Sequence, residues 1–212
     1  MNPIPEAWNR LFLREECRRF AGYWLSLQKD GLVPLRRNLN PNDIRDLLPF
    51  LMMMEQISDH EFRFRLVGTA VVSRIGHDST GRIISVRNFD ENSSFTRTIQ
   101  AVLSQPCGYY VVAEEIYRTG LRASVELLGF PLASASGKPK FIATLSHECS
   151  KKYSEILHDS AMNEMRGQVH HFLDIGAGTP PAIGGAFTYS PRLAASEDVS
   201  HTPMLQKVAA KH

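Results

Sequence analysis

The chain has 212 residues, with 43% apolar and 22% charged residues and a formal net charge of +2. That balance suits a globular domain with a real core and excludes wholesale disorder. Basic pairs such as Arg36-Arg37 and Lys151-Lys152 are too short and isolated to form a nucleic-acid footprint.

The N-terminus is charged and lacks the apolar run of a secretion signal, so the expected location is the cytoplasm. The longest apolar stretch, residues 47–54, contains a proline and falls far short of the ~20 residues of a membrane span. Cys17, Cys107 and Cys149 are odd in number and widely spaced, which suits reduced thiols.

From Leu13 onward, Leu13, Cys17, Phe20, Ala21, Trp24 and Leu27 recur at steps of three and four, which predicts an amphipathic helix within an N-terminal unit, residues 1–31. Its apolar stripe must be covered, either by its own sheet or by the same helix of a second chain, and a homodimer with this helix near the interface is the expectation. Asn40-Pro41-Asn42-Asp43 is a helix start: asparagine caps, proline fits the first position and aspartate faces the positive end of the dipole. Pro49 then ends that element.

Residues 50–57 read as a strand, and Phe62, Phe64 and Leu66 alternate with Arg63 and Arg65 in the next, so the two predict a hairpin. In Met52-Met53-Met54 the middle side chain should face away from the other two and meet a helix on the second side of the sheet. Arg63 and Arg65 offer donors to an anion, but a salt bridge to Glu114 or Glu126 on another strand, or simple solvent exposure, explains them as well. A short helix at residues 70–75, a glycine-flanked loop and a helical middle reaching about Gln105 follow. Strands are then predicted over residues 109–117, 121–132 and 141–147. The fold class is α+β with a five-stranded antiparallel sheet, its domain covering residues 32–150.

Past Ser150 the chain turns rich in glycine and proline and poor in large apolar residues. Residues 151–212 are read as a C-terminal extension, with one helix over 154–173 and then a flexible tail.

Several phrases together resemble the PAS-domain family of small single-module bacterial proteins. They are Tyr23-Trp24, Leu39-Asn40-Pro41 with Ile44, Leu47-Leu48-Pro49, Phe62-Arg63-Phe64-Arg65-Leu66-Val67-Gly68-Thr69, and Gly76-His77-Asp78-Ser79-Thr80-Gly81-Arg82. The resemblance implies a five-stranded antiparallel sheet flanked by helices, often dimeric and sometimes enclosing a small-molecule pocket. Gln28 stands where a basic residue is usual and His77 where arginine is usual, so a ligand contact made by that arginine in relatives does not carry over.

The function that follows is sensory or regulatory, exerted through a small-molecule ligand or a signalling-protein partner, without nucleic acid and without an output domain in the chain. The alternatives are a purely structural dimerisation module and an enzyme with an unrecognised acid/base site. A ligand site is expected between the sheet and the helical middle, drawing on Phe64, Leu66, Val72, Ile75, Phe95, Ile99, Val125 and Leu127, with His77 and Arg82 as polar contacts.

No catalytic residues are assigned. His77-Asp78 as an acid/base pair competes with a turn-closing role for Asp78. No metal is assigned either, because His147-Glu148-Cys149 splits across two faces of a strand. The cofactor stays open. Covalent c-type haem is excluded by the missing Cys-x-x-Cys-His run, and Cys107, at a strand start, is misplaced for a flavin adduct.

Overall fold

The computed structural model describes residues 3–85, 94–149, 162–182 and 186–189. Helices α1 (Glu6–Leu11) and α2 (Glu15–Ser26) lead through 3-10 turns at Arg36–Asn38, Pro41–Ile44 and Leu48–Phe50 into β1 (Leu51–Gln56) and β2 (Glu61–Val67). Then come α3 (Thr69–Ile75), β3 (Ile83–Ser85), α4 (Ser94–Ser104), β4 (Gly108–Tyr117), β5 (Arg122–Ala133), β6 (Pro139–Glu148), β7 (Met162–Leu173) and β8 (Ala186–Tyr189). The strands form one sheet in the order β3-β2-β1-β6-β5-β4-β7-β8, with every neighbouring pair antiparallel.

The five strands anticipated from period-two patterning are contiguous at its centre, and the α+β reading holds. The sheet is wider than expected, because β3 extends one edge and β7 and β8 the other. The segment read as a helix after Ser150 is therefore corrected over Met162–Leu173, which pairs along the whole of β4. Its backbone finds partners in β4, so it needs few large apolar side chains of its own. Part of the expected flexible tail is likewise corrected: Ala186–Tyr189 pairs with β7. Residues 154–161 of the expected helix and 190–212 of the tail lie outside the described residues.

Both faces of the sheet are covered. On one side Phe20, Ala21 and Trp24 of α2 pack on Phe130, Leu132, Ala143 and Leu145, with Trp8 and Phe12 completing the layer. Cys17, Phe20, Ala21 and Trp24 are each 0% exposed within a single chain, so the stripe of α2 is spent on its own sheet and is not available to a second copy. Leu13 departs from the reading: it lies between α1 and α2 with 61% of its surface exposed, because Phe12 takes an extended conformation that ends α1.

Trp24 stacks on Phe130 at 4.7 Å, and its indole N–H donates to the carbonyl of Pro131 at 3.0 Å. A proline is tolerated in this central strand because β4 begins at Gly108, opposite the preceding stretch of β5, and leaves Pro131 with β6 alone as its strand neighbour.

The other face meets α3 and α4 through Ile99, Val102, Val111, Val125, Leu127 and Ile142. Met53 belongs to the α2 side and Met54 to the α3/α4 side, the split that alternation predicts. Gly68, at the start of α3, is held so close to the 3-10 turn that a Cβ there would lie 2.2 Å from the carbonyl oxygen of Pro49.

Candidate functional site

Between the sheet and the pair α3 and α4 lies a cavity of about 80 Å³. Its floor comes from alternate residues of the central strands. On β4 these are Tyr109, Val111 and Glu115, on β5 Leu127, and on β6 Thr144 and Ser146. Met52 and Met54 of β1 and Met162 and Met165 of β7 form the flanks, while Val71, Arg74 and Ile75 of α3 and Phe95, Thr98 and Ile99 of α4 form the roof. The lining is chiefly apolar with a few converging polar groups, the usual make-up of a small-molecule site.

Of the residues proposed from sequence, Phe64, Ile75, Phe95, Ile99 and Leu127 line this cavity. Val125 is buried on the same side of the sheet but, like Val72, lies outside the lining. Leu66 falls on the opposite side, packed with the α2 layer. The cause is a bulge: Met53 pairs with Leu66 but Met54 pairs with Phe64, so Arg65 is an extra residue that reverses the alternation.

His77 and Arg82 also stay away from the lining. His77 is half-buried and its pKa is lowered, first by burial and then by the Arg82 charge. Asp78 accepts the Thr80 N–H at 2.8 Å and so closes a turn.

The polar centre of the cavity is one that the sequence reading missed. Arg74 follows Val71 at helical spacing and so reaches the sheet, where its side chain is 3% exposed. Its Nη1 donates to the Ser146 carbonyl at 3.1 Å and its Nη2 to the Ser146 hydroxyl at 2.5 Å. Nε lies 3.2 Å from Glu115 Oε2 and 3.8 Å from Glu148 Oε1, yet has no acceptor in hydrogen-bond geometry among the described residues.

Glu115, also 3% exposed, accepts the Tyr117 hydroxyl at 2.6 Å. Burial and then the Glu115 charge push the Tyr117 phenol well up. The signal for Glu115 was present: it shares the inward parity of Val111, Ala113 and Tyr117, where a carboxylate is out of place.

Beside this group the Tyr109 and Thr144 hydroxyls are hydrogen-bonded at 2.7 Å, and burial raises the Tyr109 phenol to about 12. The Tyr109 ring reaches across its partner strand only because Gly129 lies opposite: a Cβ there would come within 2.0 Å of it. A wider depression of about 260 Å³ between the β1–β2 and β5–β6 turns is lined by side chains such as Ser58, Asp59, Ser136 and Lys138. These four are exposed, so it offers no buried group to a ligand.

The other candidate clusters disperse. Glu114 pairs with Arg122 at 2.9 Å and Glu126 is buried under the N-terminal helices, so the partner expected for Arg63 and Arg65 is corrected: Arg65 reaches Glu55 at 3.6 Å. His147 meets Phe50 in a tilted ring contact at 4.0 Å on the α2 side, whereas Glu148 faces Arg74 on the cavity side. Among the described residues, no three His, Cys, Asp or Glu side chains are grouped to hold a metal, and no helix is long and apolar enough to cross a membrane.

A family model described as PAS domain matches residues 14–146. The chain belongs to the PAS domain family. The cavity of this PAS domain lies inside that match apart from its β7 flank, and a PAS fold is that of a sensory module. Among solved structures the chain is similar to a LOV protein from Rhodobacter sphaeroides at 13% identity, over 54% of this chain and 70% of that one, with a TM-score of 0.38. It is also similar to VqmA bound to DPO at 14% identity, over 52% of this chain and 56% of that one, with a TM-score of 0.38. No curated protein matches the chain.

Proposed function

We propose that this PAS domain is a sensor that takes a small molecule into the cavity between its sheet and the helices α3 and α4, and reports occupancy to a signalling protein, in the cytoplasm and as a homodimer. The observation that carries the reading is the partly open, mainly apolar space built around the buried guanidinium of Arg74, whose Nε has no acceptor among the described residues. A core selected for stability alone would be filled at that point, since voids and unmade hydrogen bonds both cost stability. Membership of the PAS family supports the sensory role.

The reading as a purely structural dimerisation module gains less support, because the apolar stripe of α2 is used within the chain. An enzymatic role has no acid/base pair to draw on at His77-Asp78, where the carboxylate holds a backbone N–H.

Native mass spectrometry of protein purified from its own cell tests the proposal. A retained small molecule that is lost when Ile99 is replaced by Trp, which fills the cavity, is the expected result. Retention of the same molecule by the Trp variant would place the binding elsewhere and overturn it.

A further inference from the structure

We infer, resting on that reading of the cavity, that its ligand is a small neutral molecule bearing a hydrogen-bond acceptor on an apolar frame, and that organic acids of the same shape are rejected. The guanidinium of Arg74 gives one N–H to the carbonyl and one to the hydroxyl of Ser146, which leaves Nε as its one nitrogen with no acceptor among the described residues. A buried N–H without an acceptor is unfavourable, so a carbonyl oxygen, ether or ring nitrogen brought to it gains a hydrogen bond that water does not supply there.

Arg74 alone suggests a carboxylate ligand. The surrounding charges argue against one. Glu115 at 3.2 Å and Glu148 at 3.8 Å both face the same guanidinium, and among the described residues neither has a second cation. One positive group and two negative ones, Glu115 in the lining and Glu148 just outside it, leave this side of the cavity with an excess of negative charge. Glu115 is 3% and Glu148 15% exposed, so water and salt screen that excess weakly. A third anion would meet net repulsion and would have to shed its hydration as well. A neutral acceptor meets neither penalty.

The rest of the lining fits an apolar frame of modest size. The space is about 80 Å³, and Met52, Met54, Met162 and Met165 at its flanks can rearrange around a ring somewhat larger than the empty volume.

The test uses three probes built on one phenyl ring, applied to the full chain: benzamide (neutral, with an acceptor), its isosteric anion benzoate, and toluene (apolar only). Binding is read by NMR from the methionine methyl groups and from the Nε–Hε resonance of Arg74. Benzamide is expected to shift both sets of signals and to bind at least tenfold more tightly than either benzoate or toluene. Arg74→Lys keeps a cation but removes the Nε–H, and should lower benzamide to the affinity of toluene.

Benzoate binding as tightly as benzamide, or benzamide binding without a change at Arg74 Nε–Hε, overturns the neutral-acceptor assignment while leaving the cavity a ligand site. Methionine methyl groups that respond to none of the probes, toluene included, overturn the sensor reading itself. The wild-type signals decide the matter even if Arg74→Lys does not fold.

Discussion

The Tyr110 hydroxyl donates to the Glu126 carboxylate at 2.7 Å, on the side of the sheet away from the cavity. The same carboxylate oxygen accepts the Leu13 N–H, also at 2.7 Å, so a fully buried acid on β5 ties down the corner between α1 and α2. Leu13 lies beyond the last helical bond of α1, which Phe12 makes to Trp8, so the carboxylate supplies its N–H with an acceptor.

Replacing Glu126 with Ala should therefore loosen the N-terminal layer and cost about 3 kcal/mol, the scale for losing two buried hydrogen bonds to a carboxylate and leaving their donors unsatisfied. Tyr110→Phe removes one donor and should cost about 2 kcal/mol. The two should be strongly non-additive in chemical denaturation, with the double variant little worse than Glu126→Ala. Additive losses would mean that Tyr110 and Glu126 stabilise the fold separately.

Phe20→Glu distinguishes an internal from an intermolecular role for α2. Phe20 is 0% exposed and meets Phe130 at a ring distance of 6.0 Å, so the substitution buries a carboxylate without a partner. The expected outcome is loss of the cooperative thermal transition in circular dichroism. A well-folded monomer in sedimentation would instead place that face between two chains.

Glu55 sets an acid-limb dependence of stability. Its pKa is held below the ordinary 4.5, first by the hydrogen bond from Lys140 at 2.7 Å and then, against the opposing effect of burial, by the charges of Lys140 and Arg65. A depressed folded-state value means that the stabilisation is present above 4.5 and is lost as pH falls through the folded value. Both cations are close to half exposed, so the contribution is under about 1 kcal/mol. Glu55→Gln should flatten the curve of melting temperature against pH below about pH 5 and leave its shape above unchanged; an acid limb as steep as the wild type would assign the dependence to other carboxylates.

Thiol reactivity should follow burial. Cys149 is half-buried with its thiol pushed to about 11, and Cys107 is buried with its thiol at about 12. Cys17 is driven higher still by burial and then by the charge of Glu126. Since the thiolate is the reactive form, alkylation of the native chain at pH 8 should be slow throughout, with Cys149 modified first in mass mapping. Faster labelling of Cys17 than of Cys149 would reveal opening of the α2 layer in the native state.

The strands were legible where one rule dominates. Tyr109 to Tyr117 and the two methionine faces of β1 follow period-two alternation, and Asn40 caps its turn by accepting the Asn42 N–H at 3.1 Å. The sequence was silent where pairing is made by the backbone. β7 carries polar side chains, and its register with β4 shifts between Tyr110 and Val111 and again between Ile116 and Tyr117, which blurs any periodic signal.

The bulge at Arg65 left no trace either, because Phe64, Arg65 and Leu66 alternate as they would in a regular strand. That hid the loss of Leu66 from the cavity. Arg74 and Glu115 come from distant parts of the chain, and each taken alone reads as a surface charge. Only the parity of Glu115 within β4 and the spacing of Arg74 from Val71 mark them as inward.

Both tryptophans of the chain, Trp8 and Trp24, lie in the layer that covers the α2 side of the sheet, and neither touches the cavity. The molecule is thus optically one-sided: its indole emission views the N-terminal helices through Trp24 on Phe130, with no fluorophore of that kind on the opposite wall. Any change in that emission on adding a compound to the cavity has crossed the sheet to be seen.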